Sequence, residues 1–323
     1  MRDGNVATPE RLAVHTPGTL AGARSGTGGR KGLSLATREA LAAYLFILPS
    51  FLGFAIFLLV PMVMSAGLSL YDWELLRPPF FIGLDNYRDL FRDPLFLKVL
   101  GNTAYYAFGL VPLNIVISLS LALWLNTKLR GLTFYRLAFF LPVVTVTVAV
   151  SLIWKWMYEP RVGIVNAALG AFGIAGPNWL ADPFWAMPSL IILGLWKGFG
   201  YNMVLFLAGL QGIPSTLYEA AMIDGANAWQ RFWKITLPLL SPAMFLAVIL
   251  TVISSFQVFD QAFVMTAGGP SNATNTIVLY IFQNGFLFFK MGYASAIAWA
   301  LFAVIFTFTL VQMWLQRHWV QYE

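Results

Sequence analysis

Six apolar stretches, each close to twenty residues or longer, are separated by more polar segments: 42–65, 103–125, 137–157, 186–210, 238–259 and 293–315. A bilayer span needs about 20 mostly apolar residues. These stretches are apolar on every face rather than along one stripe, and a soluble chain of this length cannot bury six such helices. The pattern predicts an all-α membrane protein with six transmembrane helices. Pro49, Pro61, Pro112 and Pro142 fall inside the stretches; they kink helices, and neighbouring groups can re-satisfy the freed backbone. Residues 1–38 show no apolar period and are rich in Gly, Thr, Ala and Arg, which predicts a disordered extension. The membrane domain then occupies 39–323. The first apolar run begins near Leu41 and is too long for a cleavable signal.

Composition supports the bilayer as solvent. The chain is 59% hydrophobic and 11% charged, against about 45–50% and about 25% in soluble domains. The net charge of +6 does not point to nucleic acid, because so few charges make no basic surface. It reads instead as loops biased by the positive-inside rule. Arg24, Arg30, Lys31 and Arg38 precede the first stretch; Lys128, Arg130 and Arg136 follow the second; Arg231 and Lys234 follow the fourth. These loops and both termini are expected in the cytoplasm. The loop 71–101 carries acids to match its bases. Tyr71, Trp73, Trp154, Trp156, Trp314 and Trp319 suit aromatic belts. The absence of cysteine excludes disulfides and thiolate sites. The two histidines, His15 and His318, both lie near the chain ends, which excludes a histidine-based metal centre or triad inside the fold.

The segment 211–237 differs from the other loops. Thr216-Leu217-Tyr218-Glu219 has capping-box spacing, Ala220, Ala221, Met222 and Ile223 continue a short helix, and Gly225 supplies a left-handed residue to end it. Asn227 with Gln230 can cap a second helix whose Trp229, Phe232, Trp233 and Thr236 share one face. Pro238 then opens the fifth span. A helical hairpin offering aromatic side chains outside the membrane needs lipid or a partner to cover it.

These residues carry a family resemblance. Glu219-Ala220-Ala221, three residues, Gly225, nine residues, Ile235, one residue, Leu237-Pro238 resembles the loop signature of permeases of binding-protein-dependent ABC importers. Phe81-Ile82-Gly83-Leu84-Asp85-Asn86-Tyr87, Phe140-Leu141-Pro142, Ile223-Asp224-Gly225-Ala226 and Thr266-Ala267-Gly268-Gly269-Pro270 look like the carbohydrate branch, with a maltose-permease-like first subunit. The resemblance spans about residues 40–320. It implies the type I ABC importer permease fold, with a cytoplasmic coupling helix between helices 4 and 5. Tyr218, Glu219, Ala220, Ala221, Asp224 and Gly225 would dock a separate ATPase. The chain has no Gly-rich phosphate loop, so ATP and Mg belong to the ATPase subunits and the chain itself makes no covalent change. The implied partners are a second, homologous permease, two ATPase subunits, an extracytoplasmic binding protein and a sugar, in the bacterial inner membrane.

Polar residues within the spans mark a solute path. Thr145 and Thr147 lie in the third; Gly194, Lys197, Gly198, Tyr201 and Asn202 in the fourth; Thr251, Ser254, Ser255 and Gln257 in the fifth. Hydroxyls, amides and an aromatic ring suit a neutral polyol. The substrate-site candidates are Thr147, Lys197, Gly198, Tyr201, Asn202, Thr251, Ser254 and Ser255; the resemblance places Thr147, Gly198, Tyr201, Thr251 and Ser255 near the family's sugar site, but puts apolar Val143 and Val258 where polar side chains are expected. Each has a plainer reading: Ser and Thr bond their own helix carbonyls, Gly198 permits close packing, and Lys197 snorkels or pairs with a partner subunit. Asp260 and Gln261 are expected to face the binding protein or the following loop. Within the family a glycerol-phosphate permease is the nearest alternative, for which Lys197 is the one cation among these candidates. A proton- or sodium-coupled carrier needs intramembrane carboxylates, and the spans hold none apart from Asp260 at an edge. A membrane-embedded enzyme needs clustered His, Asp or Glu, which the spans also lack.

Overall fold

The computed structural model describes residues 35–127 and 131–319, with side chains described as far as Arg317. The expected extension up to residue 34, Lys128, Arg130 and the side chains of His318 and Trp319 lie outside the described residues. The chain divides into units 1–58 and 59–323. In the first, helix α1 (Leu35–Phe54) runs into a π-helical turn, Ala55–Leu59, and buries no side chain. It starts at Leu35, inside the region expected to be disordered to residue 38.

Among the described residues, the regular structure of the second unit is helical except for a two-stranded hairpin. Helix α2 (Val60–Leu68) leads to β1 (Tyr71–Asp72), paired antiparallel with β2 (Phe80–Phe81). Then come α3 (Asp85–Arg92), α4 (Pro94–Leu125), α5 (Leu132–Val144), α6 (Thr147–Met157) and α7 (Ile164–Ala171). Helices α8 (Pro183–Gln211), α9 (Ser215–Ile223), α10 (Ala228–Arg231) and α11 (Leu237–Phe256) follow. The chain ends with α12 (Asp260–Thr266), α13 (Ile277–Phe282) and α14 (Met291–Trp319). Among the described residues, five helical stretches are long and apolar enough to cross a bilayer: Leu35–Leu68, Pro94–Leu125, Pro183–Gln211, Ala228–Phe256 and Met291–Arg317. The pair α5 and α6 passes that test together, but it is bent by 97°.

Most spans exceed their expected bounds, for reasons written in the sequence. Asp93 and Asp182 each stand before a proline, and each carboxylate accepts from an amide two residues on, Leu95 N at 2.8 Å and Phe184 N at 2.9 Å. Asp-Pro supplies the N-cap and a first residue whose missing N–H costs nothing, so α4 and α8 begin at 94 and 183 rather than 103 and 186. The fifth span also reaches further back. Helix α10 continues through a π-helical turn, Phe232–Thr236, into α11, so the expected short second helix and the span are one stretch from Ala228. The third expected span breaks at Thr145-Val146. Pro142 and the β-branched run 143–148 disfavour an unbroken helix, and the Thr145 hydroxyl donates to the Pro142 carbonyl at 2.6 Å.

Three apolar clusters hold the second unit together. One gathers Leu190, Leu193, Met187 and Tyr158 around α6, α8 and α12; a second packs Leu90, Phe96, Val99 and Ile297; a third packs Leu125, Met203, Phe206 and Leu240. At the start of α4, Asp93 ties three helices. Its Oδ2 accepts the hydroxyls of Tyr280 at 2.5 Å and Tyr293 at 3.0 Å. Burial alone raises the carboxyl, but the Tyr280 hydroxyl, the Leu95 amide and the Tyr293 hydroxyl together bring it below its ordinary value. A depressed carboxylate stabilises the fold above its unfolded pKa of about 3.9, and that contribution fades as pH falls through the folded value. Asp93→Asn is therefore expected to cost about 1.5–3 kcal/mol at neutral pH. The gap from the parent should close below about pH 4, read as melting temperature against pH in detergent. Equal melting at pH 7 would refute the tie.

Candidate functional site

Helix α8 packs along α4 for much of its length, through a seam of small and polar residues. Gly194, Gly198 and Asn202, four residues apart on α8, face Tyr106, Leu110 and Asn114 of α4. A β-carbon on Gly194 would overlap the Tyr106 hydroxyl, and one on Gly198 would lie 3.0 Å from Asn114 Nδ2. Small residues at four-residue spacing let membrane helices approach closely. The Asn202 amide donates to Asn114 Oδ1 at 2.7 Å and to Thr251 Oγ1 at 2.8 Å, joining α4, α8 and α11. Ser118 donates to the Phe199 carbonyl at 2.8 Å and to Asn114 Oδ1 at 3.2 Å. Asn202 Oδ1 is left buried with no hydrogen-bond donor.

Above this seam lies a cavity of about 530 Å³. Every candidate substrate residue lines it: Thr147, Lys197, Gly198, Tyr201, Asn202, Thr251, Ser254 and Ser255. Their availability differs. Thr251 and Ser255 are buried and donate to carbonyls of their own helix, those of Ala247 at 2.7 Å and Thr251 at 2.6 Å. Ser254 is exposed, and the Tyr201 ring is 49% exposed. Lys197 donates to the Thr145 carbonyl at 2.7 Å and approaches those of Pro142 and Val143 at 3.4 and 3.5 Å.

The cavity also has walls that sequence reasoning did not assign. Tyr106 and Asn114 come from the second span, and Asp260 and Gln261 join Gln257, already expected on the solute path, at the end beyond α11. Asp260 and Gln261 thus border the same space as the candidate residues, rather than only an outer surface. Gln261 is buried and its amide donates to the Tyr106 hydroxyl. Asp260 attracts Lys197 electrostatically. The available signal was Asn114 with Ser118, two polar residues four apart in the middle of a largely apolar helix.

The hairpin residues Tyr218, Glu219, Ala220, Ala221, Asp224 and Gly225 gather on α9 and its end, apart from the cavity. Helix α9 starts at Ser215 with Pro214 as its N-cap residue and no side-chain cap. The expected Thr216 capping box is therefore absent: Thr216 already lies within the first turn, where its hydroxyl no longer faces the orphan amides. The C-terminal end follows expectation. Gly225 has φ +76°, Ala226 N donates to Ala221 O at 2.8 Å, and Gly225 N donates to Met222 O at 3.1 Å, the Schellman pair. Asn227 and Gln230 form a reciprocal capping box. Tyr218 bonds Thr236 at 3.0 Å, fixing α9 against the π-helical turn. Trp229, Phe232 and Trp233 pack against one another in edge-on and tilted pairs, and Ile223 and Trp229 are exposed.

Residues 114–321 match the family described as the binding-protein-dependent transport system inner membrane component. The chain belongs to that family. As a member it is a multi-pass membrane protein with the type I ABC importer permease fold. It is 39% identical to the probable ABC transporter permease protein YesP of Bacillus subtilis, over 88% of this chain and 94% of that protein. It is 37% identical to the lactose transport system permease protein LacF of Rhizobium radiobacter (85% and 93%). It is 36% identical to the trehalose/maltose transport system permease protein MalF of Thermococcus litoralis (85% and 94%). Among solved structures, a bacterial ABC transporter involved in the import of the acidic polysaccharide alginate superposes with a TM-score of 0.75 at 25% identity, covering 88% of this chain and 98% of that one.

Proposed function

We propose that the chain is a permease subunit of an ATP-driven importer in a bacterial inner membrane, both termini cytoplasmic, and that it translocates a saccharide handed over by an extracytoplasmic binding protein. A second, homologous permease completes the translocation path, and two ATPase subunits hold ATP and Mg. The observation that carries this reading is the lining of the cavity. It offers hydroxyls, amides and one accessible aromatic face, with Lys197 and Asp260 as a mutually attracting charge pair. Such a lining suits a neutral polyol, oriented by hydrogen bonds and stacked on a ring. Relatives named for lactose and for trehalose/maltose agree with a saccharide.

In this reading Tyr201 is the stacking platform, with Thr147 and Ser254 as contacts. Gly198 keeps the floor open, Lys197 lies on the cavity wall, and Asn202, Thr251 and Ser255 shape the floor. Tyr218, Glu219, Ala220, Ala221, Asp224 and Gly225 form the ATPase-docking surface. The test is uptake of labelled di- and oligosaccharides by the purified complex in liposomes with ATP and the loaded binding protein. Tyr201→Ala should lower uptake about tenfold at subsaturating solute, equivalent to about 1.4 kcal/mol, whereas Tyr201→Phe should retain it. Uptake by this chain without ATP, or full uptake by Tyr201→Ala, would sink the proposal.

A further inference from the structure

Lys197 is an ammonium at the depth of a membrane span, where a cation is costly and needs a reason. Its position on the cavity wall suggests a solute ligand. Its hydrogen bonds say otherwise. The short bond, at 2.7 Å, goes to the carbonyl of Thr145, the C-cap residue of α5, and the longer approaches go to Pro142 and Val143. These are carbonyls at the broken end of a helix. The last four carbonyls of any helix lack intrahelical partners, and together they carry roughly half a negative charge. Away from water, each such group left unmet costs several kcal/mol. The Thr145 hydroxyl meets one of them, at Pro142.

The same face of α8 fixes α5 a second time. Gly200, three residues beyond Lys197, lies so close to α5 that a β-carbon there would overlap the Phe139 carbonyl. The bend is thus held from α8 by a contact on α5 and by a cation at its end. The helix that resumes after the bend starts at Thr147, which lines the cavity. Asp260 lines the same cavity and attracts the ammonium electrostatically.

We infer that Lys197 is a positioning residue: its ammonium caps the broken end of α5, sets the α5–α6 bend, and so places Thr147 on the cavity wall. That Thr147 meets a solute rests on the permease reading above; the cap does not.

The chain has no cysteine, so a spin-label pair at Leu137→Cys and Ile153→Cys, both exposed, reports the bend in the full-length chain in lipid nanodiscs. Lys197→Met should broaden the distance distribution roughly twofold, because the carbonyls lose their donor. Lys197→Gln, which keeps a donor of shorter reach, should broaden it less, and Lys197→Arg should restore the parent distribution. If Lys197→Met does not accumulate, the Gln and Arg pair decides: broadening in Gln alone supports the cap. Distributions equal to the parent in every variant overturn the inference, including the case in which uptake of a saccharide then loses only apparent affinity, the mark of a direct contact. A failure of the permease reading leaves the distance result standing, so the two are told apart.

Discussion

Glu219→Lys combined with Gly225→Val is expected to cut binding-protein-stimulated ATP hydrolysis and solute uptake by roughly 100-fold, the upper range for energetic coupling between sites, while the complex still assembles. Gly225 stands at φ +76°, where a β-branched residue is a true outlier. Nothing lies within 4 Å of the β-carbon it would gain, so the damage is to the backbone turn alone. The cost is about 1–2 kcal/mol, too little to unfold the protein but enough to undo the Schellman end of α9. The direction of the chain between α9 and the π-helical turn then changes. Glu219 is exposed on α9, so reversing its charge alters the docking surface and no internal contact. Hydrolysis and uptake by the reconstituted complex measure the outcome. A double variant that couples normally would show that α9 does not dock the ATPase.

The second large effect is on stability. Gly200→Ala should destabilise the protein by about 3 kcal/mol or more, at or above the usual range for overpacking. The obstacle is the Phe139 carbonyl, a backbone group, with Val143 Cγ2 3.1 Å from the added carbon. No side chain can rotate away, so α5 must separate from α8. Gly101→Ala on α4 is the control: its β-carbon would meet nothing within 4 Å, and it should stabilise by about 0.5–1 kcal/mol through helix propensity. Melting temperatures of the two variants in the same detergent should move in opposite directions. A Gly200→Ala protein as stable as the parent would mean that α5 and α8 are not held at this distance.

Apolar runs located the spans because a bilayer imposes length and composition together. They left the ends open, since the Asp93-Pro94 and Asp182-Pro183 caps are local signals that hydropathy does not weigh. The broken third span was half visible: Pro142 was read as a kink and Thr145 and Thr147 as polar exceptions, but the 97° bend depends on Lys197, which lies on another helix. The candidate cavity residues of the third, fourth and fifth spans were legible as polar exceptions in apolar helices. The Asn114–Ser118 pair of the second span was there to be read but was passed over, and Tyr106 gave no such signal, because polar residues scattered along a largely apolar helix set no period to say which face meets a neighbour. The Gly225 turn and the Asn227–Gln230 box were legible because both are set by nearest neighbours in sequence. The Thr216 box failed for a related reason: a motif four residues long fits more than one register, and Pro214 fixed the one that starts earlier.

The glycine seam between α4 and α8 limits how this cavity can change over evolutionary time or at an engineer's hand. Gly194, Gly198, Asn202 and Asn114 each serve the cavity and the helix contact at once, so a substitution there alters two properties in one step. Tyr201, Ser254 and Gln257 line the same space and are exposed to it. A library confined to those three positions would search new specificities while leaving the scaffold intact, whereas one that includes the seam would spend most of its members on proteins that no longer pack.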